Sequence, residues 1–165
     1  MNNIEPPDTH RINAAMGWLE LGNPRDAGEE LKQLSPRVGK LPEVLEIWWM
    51  IHAQLKDWEA ALQAAGALVD VSPDDHTGWI HQAYSLHEMR RTQEAWDVLL
   101  PAAARFPSVG IIPYNLACYS CQLGAPDRAM LWLRKAIELD GLDEVRQRAL
   151  SDADLAPLKG EIDAL

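Results

Sequence analysis

Residues 79–107 have the sequence WIHQAYSLHEMRRTQEAWDVLLPAAARFP, in which two apolar stretches flank the polar segment Arg90-Arg91-Thr92. The stretch is rich in Ala, Leu, Glu, Gln and Arg, which are good helix formers. Pro107 follows the second apolar stretch, and proline is common just after a helix end. We therefore expect two helices joined by a tight turn at residues 90–92.

Ala95 in this stretch belongs to a 34-residue period that runs through the chain. Small residues recur at this spacing four times, at Ala27, Ala61, Ala95 and Ala129. Twelve positions earlier in each period stand Ala15, Trp49, Ala83 and Ala117, and twelve positions later stand Gly39, Pro73, Pro107 and Gly141. A helix breaker at the end of every period, together with a small residue inside it, indicates one structural unit repeated along the chain.

The period has a physical reason in close helix packing. A small side chain where two antiparallel helices cross lets their axes approach to roughly 8–10 Å, and larger apolar residues around the crossing fill the core. The turns inside the units are expected at residues 22–24, 56–58, 90–92 and 124–126. Glycine at two of these turns suits a left-handed helix end, and Asn23 and Asp57 are good N-cap residues.

These residues resemble the tetratricopeptide repeat (TPR) family. The clearest match is the third unit, through Trp79, Ala83, Leu86, Ala95, Leu99, Ala102 and Pro107. The second unit departs from the family pattern, because bulky Trp49 stands where the family has a small residue. The resemblance implies an all-α fold, a right-handed superhelical solenoid of four helix-turn-helix units with a C-terminal capping helix.

The domain organisation follows from this register. We expect a flexible N-terminal segment at 1–8, four units at about 9–40, 42–74, 76–108 and 110–141, and capping helices over 142–165. An exposed last unit needs such a cap because it cannot bury its apolar face alone.

Charge and composition exclude several classes of protein. The formal net charge of −10 disfavours nucleic-acid binding, which needs a clustered positive surface. No apolar run is long enough to cross a bilayer, and residues 1–8 lack the pattern of a signal peptide. Two cysteines are too few for a disulfide framework. We expect a cytoplasmic protein.

The resemblance also implies where a partner binds, since the first helix of each TPR unit faces a concave groove. The expected groove residues are Ile12, Met16, Leu19, Ile47, Met50, Ile80, His81, Tyr84, His87, Tyr114, Asn115 and Cys118. Such a lining suits an amphipathic helix or an extended peptide. The alternatives are that some of these residues belong to the core, that the N-terminal segment covers them, or that they form a homodimer.

The function implied is that of an adaptor or chaperone-like scaffold for a protein or peptide of unknown identity. Some TPR proteins clamp the terminal carboxylate of heat-shock chaperones with basic and amide side chains. Of the matching positions here only Asn115 carries a suitable residue type, so that clamp is not expected.

Catalytic and metal-binding chemistry has weak support. No GxSxG, P-loop, GxGxxG or HExxH motif is present, so we expect neither an enzyme nor a cofactor. Cys118 and Cys121 are spaced to lie on one helix face, and His87 stands 34 residues before Cys121, at the matching position of the preceding unit. A zinc or redox site formed by these three residues is a minor alternative. The seven tryptophans are expected mainly in the core, with one of Trp48 and Trp49 exposed as an interface anchor.

Overall fold

The computed structural model describes residues 4–165, and these contain ten α-helices and no β-strand. The helices are α1 (Pro6–Glu20), α2 (Pro24–Leu31), α3 (Pro42–Gln54), α4 (Trp58–Val71), α5 (His76–Glu88), α6 (Thr92–Arg105), α7 (Ile111–Gln122), α8 (Pro126–Asp140), α9 (Leu142–Ser151) and α10 (Lys159–Asp163). Short 3₁₀ helices lie at Val38–Lys40 and Ala153–Leu158. The prediction of an all-α fold is confirmed.

The N-terminal segment differs in part from the expectation. Residues 1–3 lie outside the described residues. Helix α1 already begins at Pro6, because proline has a backbone suited to the first helical turn. Asp8 accepts hydrogen bonds from the backbone N–H and the hydroxyl of Ser35, at 3.1 and 2.6 Å. Residues 6–8 are therefore helical, and Asp8 is bonded to Ser35.

The same turn geometry recurs at four positions 34 residues apart. Their φ angles lie in the left-handed region, at Gly22 (74°), Lys56 (57°), Arg90 (63°) and Gly124 (72°). After each, the next residue donates its backbone N–H to a carbonyl one turn back, at Trp18, His52, Leu86 and Ser120, over 2.8–2.9 Å. This is the Schellman helix end, which satisfies carbonyls that the helix leaves unpaired. The predicted turns are confirmed. Asp57 caps α4 by accepting the Ala60 N–H at 3.2 Å, whereas the Asn23 side chain makes no capping bond.

The chain divides into two compact units, one up to Ser85 and the other from Leu86. In the first unit α1 packs on α2 and α3 packs on α4. Its core consists mainly of small and aliphatic side chains at the repeat positions, including Ala15, Leu19, Ala27, Leu31, Val44, Ile47, Ile51, Ala61, Ala65 and Leu68. Near the end of this unit Gly78 makes a close approach possible, since a Cβ there would lie 2.8 Å from Val69 Cγ2.

In the second unit α7 is the central helix and packs against both α6 and α8. The register again places the small and aliphatic residues inside, at Ala95, Leu99, Ala102, Leu116, Ala117, Ala129, Leu133 and Ala136. Helix α9 packs on α8, and α10 packs on α9. Between α9 and α10 the chain turns back so that the 3₁₀ helix Ala153–Leu158 lies on α7. Leu155, Leu158 and Ile162 are buried by this return.

Candidate protein-interaction surfaces

In the first unit four aromatic rings form a cluster, called here the Tyr84 surface and made of Trp49, Trp58, His81 and Tyr84. Trp49 stacks on His81 with ring centroids 3.6 Å apart and planes 4° from parallel. Tyr84 meets Trp49 and Trp58 edge to face, at centroid distances of 6.1 and 5.7 Å. Tyr84 remains 39% exposed, and the other three rings are half-buried. Trp49 stands at a position that holds a small residue in the TPR family. Its ring is accommodated by stacking on His81.

Hydrogen bonds fix the ring of Trp49 in this cluster. Its Nε1 donates to Ser85 Oγ at 3.0 Å, and the fully buried Ser85 donates to the His81 carbonyl at 2.8 Å. Burial lowers the pKa of His81 to about 4, with Asp75 opposing this shift. His81 is therefore neutral at neutral pH, and its buried Nε2 has no hydrogen-bond partner within residues 4–165.

The remaining predicted groove residues of the first unit take part mostly in its core. Leu19 and Ile47 are buried, whereas Ile12, Met16 and Met50 are half-buried and pack against the same core cluster. Ile80 is half-buried. Of the predicted groove residues in this unit, Tyr84 is the one whose side chain is exposed.

In the second unit the predicted groove residues lie under the chain itself. We call His87, Tyr114, Cys118 and Gln122 the donor face, and residues 152–158 the return segment. Tyr114 donates its hydroxyl to Asp152 at 2.8 Å, and Cys118 Sγ lies 3.6 Å from the same carboxylate oxygen. His87 Nε2 lies 2.9 Å from Asp154 Oδ2, and Gln122 donates to the Asp154 carbonyl at 2.9 Å.

The expected lining in this unit is therefore largely covered. Tyr114 and Cys118 are only 3% and 4% exposed, and His87 is also buried. Asn115 is half-buried. The covering residues come from the C-terminal end, whereas the alternative considered from the sequence was coverage by the N-terminal segment.

The two cysteines are free, buried thiols. Burial is the main cause that raises the pKa of both, and the carboxylates of Asp152 and Asp154 raise it further. Thiolate is the form that binds metals and attacks disulfides, and this environment opposes it. Within residues 4–165 no group of three His, Cys, Asp or Glu side chains is arranged to hold a metal ion.

Trp48, Trp96 and Trp132 are packing residues, whereas Trp18 is 36% exposed. Trp48 stacks on His52 at 5.6 Å and covers Gly28, where an added Cβ would contact its ring at 3.5 Å. Trp96 is buried and meets Trp132 edge to face at 6.0 Å. The Trp48–Trp49 pair thus holds two half-buried rings rather than one exposed ring.

Comparison with known proteins identifies the fold. MamA of Desulfovibrio magneticus RS-1, solved from residue 41 to its end, superposes with a TM-score of 0.74 at 17% identity, covering 98% of this chain and 94% of that one. A thermophilic TPR protein of Thermus thermophilus superposes with a TM-score of 0.70 at 18% identity, covering 96% of this chain and all of the other.

The fold is of the tetratricopeptide type. Another MamA structure agrees, with a TM-score of 0.72 at 16% identity over 81% of this chain and 78% of the other. The sequence matches no protein-family model and no curated protein. Among residues 4–165 no helix combines the length and the apolar character needed to span a membrane. The number of four units remains a prediction.

Several residues of these surfaces were not identified from the sequence. Trp58 lies in an expected turn, and Gln122, Asp152 and Asp154 are not among the expected groove residues. One feature of the sequence could have indicated Asp152 and Asp154. Two carboxylates just before a buried leucine need hydrogen-bond donors close by.

Proposed function

We propose that this chain is a non-enzymatic protein-binding module, an adaptor or chaperone-like scaffold of the cytoplasm. The observation that carries the proposal is the Tyr84 surface, an exposed aromatic ring held between two tryptophans on a TPR-type fold. Aromatic side chains with rigid support are the residues that most often dominate the energy of protein interfaces. The partner is a peptide or helix that buries an apolar side chain against these rings.

The energetics of such a contact can be anticipated. The rings of the Tyr84 surface are uncharged, and His81 is neutral above its pKa of about 4. Binding should therefore depend mainly on apolar burial and little on salt. Removing a central aromatic anchor typically weakens an interface by about 2 kcal/mol, which corresponds to roughly thirtyfold in Kd.

The test is capture of partners from a native lysate by three forms of the chain. These are the wild type, Tyr84→Glu, and Gln63→Glu as a control that adds the same charge at an exposed position of α4. Tyr114 is unsuitable for substitution by Glu, because its side chain is buried. Circular dichroism must show equal helical content in all three.

We expect a protein that the wild type and Gln63→Glu capture and Tyr84→Glu does not. Equal capture by all three would refute the Tyr84 surface as the site. If the chain captures only itself, the alternative of a self-associating module takes its place. Light scattering of the purified chain over a range of concentrations then measures that association directly.

A further inference from the structure

We infer that the donor face is a binding site for an acidic, leucine-containing segment of a partner protein, and that the return segment occupies this site in the isolated chain. We expect the partner segment to have the same pattern as residues 152–158. This pattern has acidic residues at its first and third positions, Leu at the fourth and a second Leu at the seventh. This inference rests on the proposed function, because it names the class of partner for the second unit.

The donor face offers several hydrogen-bond donors to an acidic segment. It presents the Tyr114 hydroxyl, the Cys118 thiol and the Gln122 amide towards the return segment. A carboxylate can only accept hydrogen bonds, so His87 Nε2 carries the proton shared with Asp154. The Arg148 guanidinium lies 5.0 Å above the Tyr114 ring and is paired with Glu144 at 2.9 Å. Hydrogen bonds to ionised acceptors are about twice as strong as neutral ones.

The apolar part of the site is equally specific. Leu155 is fully buried and Leu158 is 3% exposed, in a 3₁₀ helix that packs on α7, α9 and α10. A partner that replaced the return segment without leucines would leave this apolar surface open to water. The partner must therefore supply both the carboxylates and the leucines.

The return segment is held in a form that can be exchanged. It is a 3₁₀ helix with Pro157 inside it, and 3₁₀ hydrogen bonds are weaker than those of an α-helix. Its edge is accessible, since the Asp154 side chain is 33% exposed and Gln122 is exposed. The flanking α10 has its own attachment, because Arg146 donates to Asp163 from α9. The contact between α9 and α10 is therefore independent of the hydrogen bonds that hold residues 152–158 on the donor face.

Cys118 provides the measurement, because it lies under the return segment and the chain has only one other cysteine. All variants are made in the full chain with Cys121→Ala, so that Cys118 is the single thiol. The rate of Cys118 modification by a thiol reagent then reports how often the donor face is open.

Three forms are compared in this background. They are the unmodified chain, Asp152→Ala/Asp154→Ala, and Asp143→Ala/Glu161→Ala, which removes the same charge from exposed positions. A synthetic peptide of residues 151–165 is then added in excess, and a second peptide carries Ala at positions 152 and 154.

We expect the Asp152/Asp154 variant to react about tenfold faster or more, while the control pair reacts at the original rate, because three charge-assisted contacts are lost. Part of this increase comes from the thiol itself, since the two carboxylates also raise its pKa. The unaltered peptide should restore slow labelling in that variant, and the Ala peptide should not. Tyr114→Phe keeps both carboxylates, so its faster labelling reports opening of the donor face without their loss. It also keeps the test decisive if the double variant folds poorly.

Two results would overturn the inference. Unchanged labelling of the Asp152/Asp154 variant and of Tyr114→Phe would show that these contacts do not hold the segment. Fast labelling that the peptide cannot suppress would show that the donor face accepts no segment in trans. Both results come from purified chain and peptide, so neither bears on capture through the Tyr84 surface.

Discussion

The stacked His81 should make the stability of the chain depend on pH. The folded-state pKa of His81 is about 4, against 6.5 for an unperturbed histidine, because burial beside Trp49 disfavours the imidazolium. The unfolded chain therefore binds the proton more readily than the folded one. The stabilising contribution is fully present above about pH 6.5 and is lost as the pH falls towards 4.

The magnitude follows from the two pKa values. At pH 5 an unfolded histidine with pKa 6.5 is mostly protonated, whereas His81 with a pKa of about 4 is mostly neutral. Proton binding at pH 5 favours the unfolded chain over the folded chain by a factor of roughly thirty, which corresponds to about 2 kcal/mol. Between pH 7 and pH 5 the free energy of unfolding should thus fall by about 2 kcal/mol on account of this residue.

The assay is urea denaturation followed by the helical circular dichroism signal at both pH values, in the wild type and in His81→Phe. Phenylalanine keeps a ring for Trp49 to stack on but cannot be protonated. The decrease in the free energy of unfolding from pH 7 to pH 5 should therefore be about 2 kcal/mol smaller in His81→Phe than in the wild type. His52, whose pKa burial also lowers, is present in both forms and cancels. An equal fall in both forms would refute the assignment to His81.

Further substitutions test the packing and the turns. Lys56→Gly should raise the free energy of unfolding in urea by about 1 kcal/mol, and Gly124→Ala should lower it by about 1 kcal/mol, because both positions have a left-handed φ that favours glycine. Nothing lies within 4 Å of a Cβ at Gly124, so the loss there would come from the backbone alone, and an unchanged free energy in Gly124→Ala would contradict this. Leu99→Ala should lower the free energy of unfolding by about 3 kcal/mol in urea, whereas Leu100→Ala, at a 40% exposed neighbour, should change it by less than about 1 kcal/mol. Trp49→Phe loses its hydrogen bond to the buried serine and should lower that free energy by about 1 kcal/mol by the same measurement, and no loss would show that the bond is not stabilising.

The repeat register was predictable from the sequence because it depends on local spacing. Ala27, Ala61, Ala95 and Ala129 all have zero exposure, as close helix packing requires. A small residue every 34 positions leaves a signal that can be counted along the chain. The turns were predictable for the same reason, since each lies at a fixed distance from its alanine.

The side-chain environment of the sites was less predictable. Tyr114 and Asp152 are 38 residues apart, and their contact depends on the direction in which the chain turns after α9. No periodic pattern encodes that direction. Trp49 was likewise recognised as a departure from the family pattern, but its stack on His81 depends on a ring rotation that spacing does not specify.

The four left-handed turns also bear on how a chain of this kind can change in length. Adding one residue inside the helix that follows such a turn, ahead of its alanine, would rotate the later residues of that helix by about 100°, since an α-helix has 3.6 residues per turn. The alanine at 27, 61, 95 or 129 would then leave its helix crossing, and a larger side chain would take its place. Insertions are therefore better accommodated at the exposed connections such as Pro73–Asp75. Inside a unit the length is fixed, so the chain can grow or shorten there only by whole periods, as happens when a segment of a gene is duplicated or deleted.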